Sequence, residues 1–120
     1  MNKILVVDDD RYVCQKLSKL LRRRGYKVME ALSGDDAVEM YGNERPDAVL
    51  LDILMPGKDG FETLSELKAM DPDIRVIMVT AVREEDAVEQ AMAEGTFDYI
   101  TKPVDPDYLE LSLQAMFAMN

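Results

Sequence analysis

Three short stretches of the chain are apolar without interruption: Ile4-Leu5-Val6-Val7, Ala48-Val49-Leu50-Leu51 and Val76-Ile77-Met78-Val79. Runs of this length with no polar alternation are how strands covered on both faces read, and they predict the middle of a sheet. Two further stretches, Lys27-Val28-Met29-Glu30-Ala31 and Phe97-Asp98-Tyr99-Ile100-Thr101, mix polar with apolar positions, as strands do where a face or an edge meets water. Between the strands, apolar residues return at helical spacing: Val13, Leu17, Leu20 and Leu21; Phe61, Leu64 and Leu67; Val88, Ala91 and Met92; Leu109, Leu113, Met116 and Phe117. Ser33, with Asp36 three residues on, resembles a capping box opening a short helix through Val38 and Tyr41. The pattern is a strand followed by a helix, five times over.

Strict alternation of this kind implies parallel strands joined by right-handed crossovers, with helices on both faces of one sheet. The two mixed strands, second and fifth along the chain, belong at the edges. That fits the order 2-1-3-4-5, one of the two common doubly wound arrangements. The topological switch then lies between the first and third strands. Ligands in such sheets bind beyond the carboxyl ends of the strands near that switch, so the residues just after each run carry the functional question.

Composition narrows the rest. A chain of 120 residues, 48% hydrophobic and 32% charged, has the size and balance of one ordinary globular domain, and residues 1–120 are read as a single domain. The formal charge of −10, from 24 acidic and 14 basic residues, would repel phosphate backbones and anionic lipid, so direct binding to nucleic acid or membrane is not expected. The one basic cluster, Arg22-Arg23-Arg24 before Gly25, sits where cations suit a helix C-terminus and glycine supplies its left-handed cap. A single cysteine, Cys14, and an N-terminus that runs directly into a strand fit a protein of the reducing cytoplasm. Cys14 and the methionines read as packing.

The runs lead into Asp8-Asp9-Asp10, Asp52, Thr80-Ala81 and Thr101-Lys102-Pro103. With the first and third strands adjacent, Asp8, Asp9 and Asp52 crowd together, and each carboxylate pair at about 5 Å repels by roughly 3 kcal/mol at an effective dielectric near 20. Lys102 supplies one compensating charge. A hard, oxygen-seeking cation such as Mg²⁺, which keeps several waters and needs few carboxylates, supplies the rest. Taken singly, aspartates at strand ends start turns or cap the next helix, the role expected of Asp10. The convergence of three acids, a lysine and a threonine points instead to a charged site.

The residues reached so far carry a resemblance. The order and spacing of Val6-Val7-Asp8-Asp9-Asp10, of Asp52-Ile53-Leu54-Met55-Pro56-Gly57 with Asp59-Gly60, of Thr80-Ala81 and of Lys102-Pro103 resemble the receiver domain of two-component response regulators, over the whole chain. The resemblance implies a flavodoxin-like (βα)5 fold. It also implies a phosphoacceptor switch, not an enzyme, that promotes its own phosphorylation and dephosphorylation. Position by position, it makes Asp52 the acceptor of a phosphoryl group from a phosphohistidine on a sensor histidine kinase or phosphotransfer protein; the chain has no histidine of its own. It assigns Mg²⁺, or Mn²⁺ in its place, to Asp9, Asp52 and the backbone carbonyl of Leu54, with Asp8 acting through water. Lys102 would contact a phosphoryl oxygen, Thr80 would turn its hydroxyl toward the phosphate, and Tyr99 would swing inward behind it. The face made by the fourth helix, fifth strand and fifth helix would then change for an output domain or target protein. Pro103 would follow a cis peptide. Phosphoryl transfer mostly requires alignment and neutralisation of charge, which such a site supplies.

The chain departs from the family pattern in three places. Lys58 stands where the family usually carries methionine or leucine, either as a solvated side chain or as a screen for the acidic site. No lysine or arginine follows Lys102, so dimerisation through basic residues of the last helix is not expected and the oligomeric state stays open. Leu54 and Val82 are apolar at the positions that flank the path of attacking water in the family, which implies slow self-hydrolysis.

Other readings fit less well. A phosphatase with an aspartyl nucleophile would want an acid two residues after Asp52, where Leu54 stands. A flavin or nucleotide carrier would want a glycine-rich or hydroxyl-rich loop after the first strand, where Asp8-Asp9-Asp10 repels phosphate. A degenerate receiver that binds partners without phosphate is the remaining alternative, and the intact Asp52, Thr80 and Lys102 argue against it.

Overall fold

In the computed structural model, which describes residues 2–119, five strands and five helices alternate along the chain. They are β1 (Lys3–Val7), α1 (Arg11–Arg23), β2 (Lys27–Ala31), α2 (Gly34–Glu44), β3 (Ala48–Leu51), α3 (Gly60–Met70), β4 (Val76–Thr80), α4 (Glu85–Ala93), β5 (Asp98–Thr101) and α5 (Pro106–Ala118). Every strand pairing is parallel and the sheet runs β2-β1-β3-β4-β5, the expected order.

Alternation along each strand sorts the side chains between two helical layers. Leu5, Val7, Val49, Leu51, Val76 and Met78 pack with Ala37 and Tyr41 of α2, Leu64 and Leu67 of α3, and Ala91 of α4. Ile4, Val6, Ala48, Leu50, Ile77 and Val79 pack with Cys14, Leu17 and Leu21 of α1 and with Leu109, Leu113 and Met116 of α5. Because both faces are covered, β1, β3 and β4 need an apolar residue at nearly every position, which is why they read as unbroken runs. Burying each such leucine, isoleucine or valine contributes roughly 1.5–3 kcal/mol. Met92, which spacing groups with Val88 and Ala91, lies on the exposed side of α4 instead.

Polar caps fix where the helices begin. Asp10 accepts from the Tyr12 and Val13 N–H groups, and Asp105 from those of Asp107 and Tyr108 with Pro106 in the first turn. Ser33 accepts from Asp36 N–H at 3.1 Å, one half of the expected box. The reciprocal box stands at α3, where Asp59 and Glu62 satisfy each other's backbone N–H groups. Only α4, opening at Glu84, has no side-chain cap among the five. The arginine cluster ends α1 as expected, with Gly25 beyond it at φ +95°.

Candidate functional site

The ladder places the acids. Val7 pairs with Leu51, so Asp8 and Asp52, the next residues of β1 and β3, stand side by side at the carboxyl edge of the sheet. Their backbones are seated there: Asp8 N–H donates to the Ala31 carbonyl at 3.2 Å, and Asp52 N–H to the Val7 carbonyl at 3.0 Å. Asp8 and Asp52 are 3% and 5% exposed, whereas Asp9 is open to solvent. One carboxylate oxygen from each of the three lies within 4.8 Å of the others. Asp10 is not part of this group because its carboxylate is occupied in capping α1.

Lys102 follows β5 and reaches across the sheet. Its Nζ donates to Asp8 Oδ2 at 2.5 Å and to Asp52 Oδ2 at 3.2 Å, and its backbone N–H donates to the Thr80 carbonyl at 2.9 Å. The peptide to Pro103 is cis, as the resemblance implied. The other oxygens of the buried acids have backbone partners: Asp10 N–H on Asp8 at 2.9 Å and Leu54 N–H on Asp52 at 3.3 Å. Burial pushes the Asp8 carboxyl above its ordinary value, against the Lys102 ammonium and the Asp10 N–H that favour its charge, while the neighbouring Asp52 adds to the rise. Burial works against the charged form of Lys102, but the hydrogen bond it donates to Asp8 and the charge of Asp52 outweigh it, so its pKa is raised and it stays an ammonium.

Thr80 is fully buried at the end of β4, and its Oγ1 accepts from Val82 N–H at 3.3 Å. The half-buried Tyr99 donates its hydroxyl to the carbonyl of the same residue, at 2.7 Å. The side chains of Thr80 and Tyr99 therefore meet at the main chain of Val82, and neither hydrogen-bonds the rim carboxylates or the Lys102 amine.

Comparison with known proteins decides the family. Residues 4–114 match the family model of the response regulator receiver domain. The chain belongs to that family. The receiver is 39% identical, over 105 residues, to sporulation initiation phosphotransferase F of Bacillus subtilis (strain 168), covering 88% of this chain and 85% of that protein. It is 44% identical over 115 residues to the transcriptional regulatory protein ZraR of Klebsiella oxytoca, which it matches over 96% of its own length but only 26% of ZraR's. This receiver thus spans about a quarter of that relative. Among solved structures, the CheX-CheY-BeF3-Mg²⁺ complex from Borrelia burgdorferi aligns with a TM-score of 0.92 at 31% identity, over 97% of this chain and 89% of that one. Among the described residues of the receiver, no helix is long and apolar enough to cross a membrane.

Several positions of the receiver differ from the reading of its sequence. Lys58 neither trails into solvent nor screens the rim: its amine pairs with Asp35 and Glu66, between α2 and α3. Cys14 is buried, its thiol donating to the Asp8 carbonyl at 3.3 Å, and burial pushes it up to about 12, so it is a packing residue as expected. Leu54, two residues past Asp52, is 59% exposed. The role of Val82 in the junction left no mark on the sequence, since that residue contributes only main-chain atoms. The Asp59–Glu62 box was visible as an acid spaced three residues before a glutamate.

Proposed function

We propose that this receiver takes a phosphoryl group on Asp52 from a phosphohistidine of a sensor kinase or phosphotransfer protein, with a divalent cation at the acidic rim. The event is passed to the α4–β5–α5 face, where an output domain or target protein reads it. Residues 1–120 are read as one receiver domain acting in the cytoplasm.

The observation that carries this reading is the rim's imbalance: one ammonium faces three carboxylates whose oxygens lie within 4.8 Å of one another, two of them on buried residues. Such an excess of like charge weakens a fold unless a cation compensates it. The donors suit a hard ion, being oxygens throughout. Asp9, Asp52 and the Leu54 carbonyl would hold Mg²⁺ or Mn²⁺, with Asp8 reaching it through water. When bound, the ion supplies the positive charge that the transferring phosphoryl oxygens require.

The chain's own residues do the remaining work. An Asp52 carboxylate oxygen forms the new bond to phosphorus as the donor's N–P bond breaks, and that electron pair stays on the imidazole nitrogen. Lys102, held as an ammonium, is placed to donate to a phosphoryl oxygen. Thr80 Oγ1 is engaged as an acceptor from Val82, which leaves its proton for the phosphate. A shift of Thr80 pulls on Val82, whose carbonyl holds Tyr99. The loop that must move, residues 81–84, leads into the one helix without a side-chain cap, and Arg83 ties it to the end of β5 by donating to the Lys102 carbonyl at 2.9 Å. Carrying a two-state equilibrium from 1:99 to 99:1 takes about 5.5 kcal/mol. A few charge-assisted hydrogen bonds are of that order. Leu54 and Val82 set apolar groups beside the acceptor, and self-hydrolysis is slow.

Intact-mass analysis after incubation with acetyl phosphate tests the reading. A single adduct is expected on the wild type with Mg²⁺, none without the metal and none on Asp52→Asn. Thr80→Ala still takes the adduct but no longer shifts the Tyr99 amide resonance. An unmodified wild type would leave only phosphate-independent partner binding, and an equal adduct on Asp52→Asn would move the acceptor elsewhere. Decay of the adduct within seconds would contradict the role given to Leu54 and Val82.

A further inference from the structure

We propose that Lys58 is a positioning residue for the rim: by pinning the loop between β3 and α3 to the seam of α2 and α3, it sets how tightly the acidic cluster holds a divalent cation. The proposal rests on the metal-binding reading above.

The loop from Asp52 to Asp59 carries two of the groups assigned to the ion, Asp52 and Leu54. Near its far end, Lys58 Nζ lies 2.6 Å from Asp35 Oδ1, in the first turn of α2, and 2.5 Å from Glu66 Oε2, in α3. Its side chain is only 19% exposed because the stem lies along the helix seam. A Cβ at Gly34 would stand 3.0 Å from Lys58 Cδ and 2.2 Å from Thr63 Oγ1, so glycine there is what lets α2, α3 and the lysine stem meet. The hydrogen bonds to Asp35 and Glu66 raise the pKa of the amine and keep it charged.

Other polar ties hold the loop: Asp52 N–H on the Val7 carbonyl, Lys102 on the Asp52 carboxylate, Gly60 N–H on the Ile53 carbonyl at 2.8 Å, the Asp59 capping box, and Thr63 Oγ1 on the Asp59 carbonyl at 2.8 Å. None of these reaches α2. Among the polar contacts of the described residues, Lys58 alone joins the loop to α2. Methionine at this position would release that tie and leave Asp35 and Glu66 facing each other across the seam. A loop that spends part of its time away from the rim lowers the apparent affinity by the fraction of time it is away. The sign is diagnostic. Deleting a cation from an acidic domain by itself favours binding of Mg²⁺, whereas loss of the clamp weakens it.

Calorimetric titration with Mg²⁺ alone, on the wild type, Lys58→Met and Lys58→Arg at low and high salt, decides between these, alongside hydrogen exchange of residues 53–58 in the metal-free proteins. Lys58→Met is expected to bind on the order of threefold to fivefold more weakly at low salt, the scale of two exposed ion pairs, with faster exchange in the loop. The gap closes at high salt, where exposed pairs are screened, and Lys58→Arg restores both readouts. Equal or tighter binding by Lys58→Met overturns the proposal, as does unchanged exchange in the loop. If the wild type binds no Mg²⁺, the metal reading fails and takes the proposal with it. Binding that is lost in Asp52→Asn but indifferent to Lys58 sinks the clamp alone.

Discussion

Two lysines of this receiver sit among carboxylates, and only one of the two groups is close to balance. At the α2–α3 seam, Lys58 meets Asp35 and Glu66, whose side chains are 82% and 47% exposed and stay hydrated. At the other end of the same seam Asp71 is satisfied by the neutral Tyr41 hydroxyl at 2.6 Å. At the carboxyl edge of the sheet, Lys102 pairs with the buried Asp8 and Asp52, and the exposed Asp9 adds a third carboxylate to their cluster. Where acids serve only to join helices, they keep contact with water. Burial and surplus charge coincide at one place, and there the fold holds a group of like charges that it does not need for its own stability.

The comparison breaks hardest at Gly60, which stands under both regions. A Cβ there would lie 2.3 Å from the Asp52 carbonyl oxygen and 2.6 Å from Ile53 Cα, both backbone atoms that have nowhere to go. Gly60→Ala is expected to lose roughly 3 kcal/mol by urea denaturation, and a loss under about 1 kcal/mol would show that the loop adapts. Next comes Lys102→Met, which leaves Asp8 and Asp52 without their cation. In chelator it is expected to lose about 2 kcal/mol, below the range for a fully buried pair because a fifth of the Lys102 side chain meets water. Saturating Mg²⁺, at about a hundred times its dissociation constant, should return about 2.7 kcal/mol. Stability equal to wild type in chelator would mean the rim tolerates its surplus unaided.

The smallest effect sharpens the contrast from the seam. Tyr41→Phe removes one hydrogen bond to a half-buried acid and is expected to lose about 1 kcal/mol near neutral pH. Burial first, then the bond to Asp71, pushes Tyr41 up to about 12 from an ordinary value of 10.0. Its contribution is therefore complete below pH 10 and lost as pH rises through about 12. The same bond holds Asp71 below its ordinary 3.8, so that contribution is present above 3.8 and fades as pH falls through the lowered value. The difference in stability between wild type and Tyr41→Phe should narrow at both extremes of pH; a difference independent of pH would place the loss in packing instead.

The strand order and the acidic rim were legible because each rests on a local signal that topology amplifies. Ile4–Val7, Ala48–Leu51 and Val76–Val79 are apolar throughout only if helices cover both faces, and that condition nearly dictates the order of the sheet. Once β1 and β3 are neighbours, Asp8 and Asp52 must meet. Lys58 was not legible in the same way. Its partners come from α2 and α3, and nothing in a string of residues says which of several nearby acids a long flexible side chain will choose. Met92 misled because α4 is short and sits over the sheet with little more than Ala91, so helical spacing overstated the width of its buried stripe.

The junction at Val82 has a consequence for how such a protein could be retuned. Both bonds there, one donated to the Thr80 hydroxyl and one accepted from Tyr99, use the amide and carbonyl of residue 82, not its side chain. Nineteen of the amino acids would preserve the wiring, and proline alone, lacking an N–H, would cut it. On the proposed function, the side chain is thereby left at liberty to govern how long a phosphorylated state persists. Clock and message would then occupy one position but different atoms, so the duration of a signal could drift while its meaning stays the same.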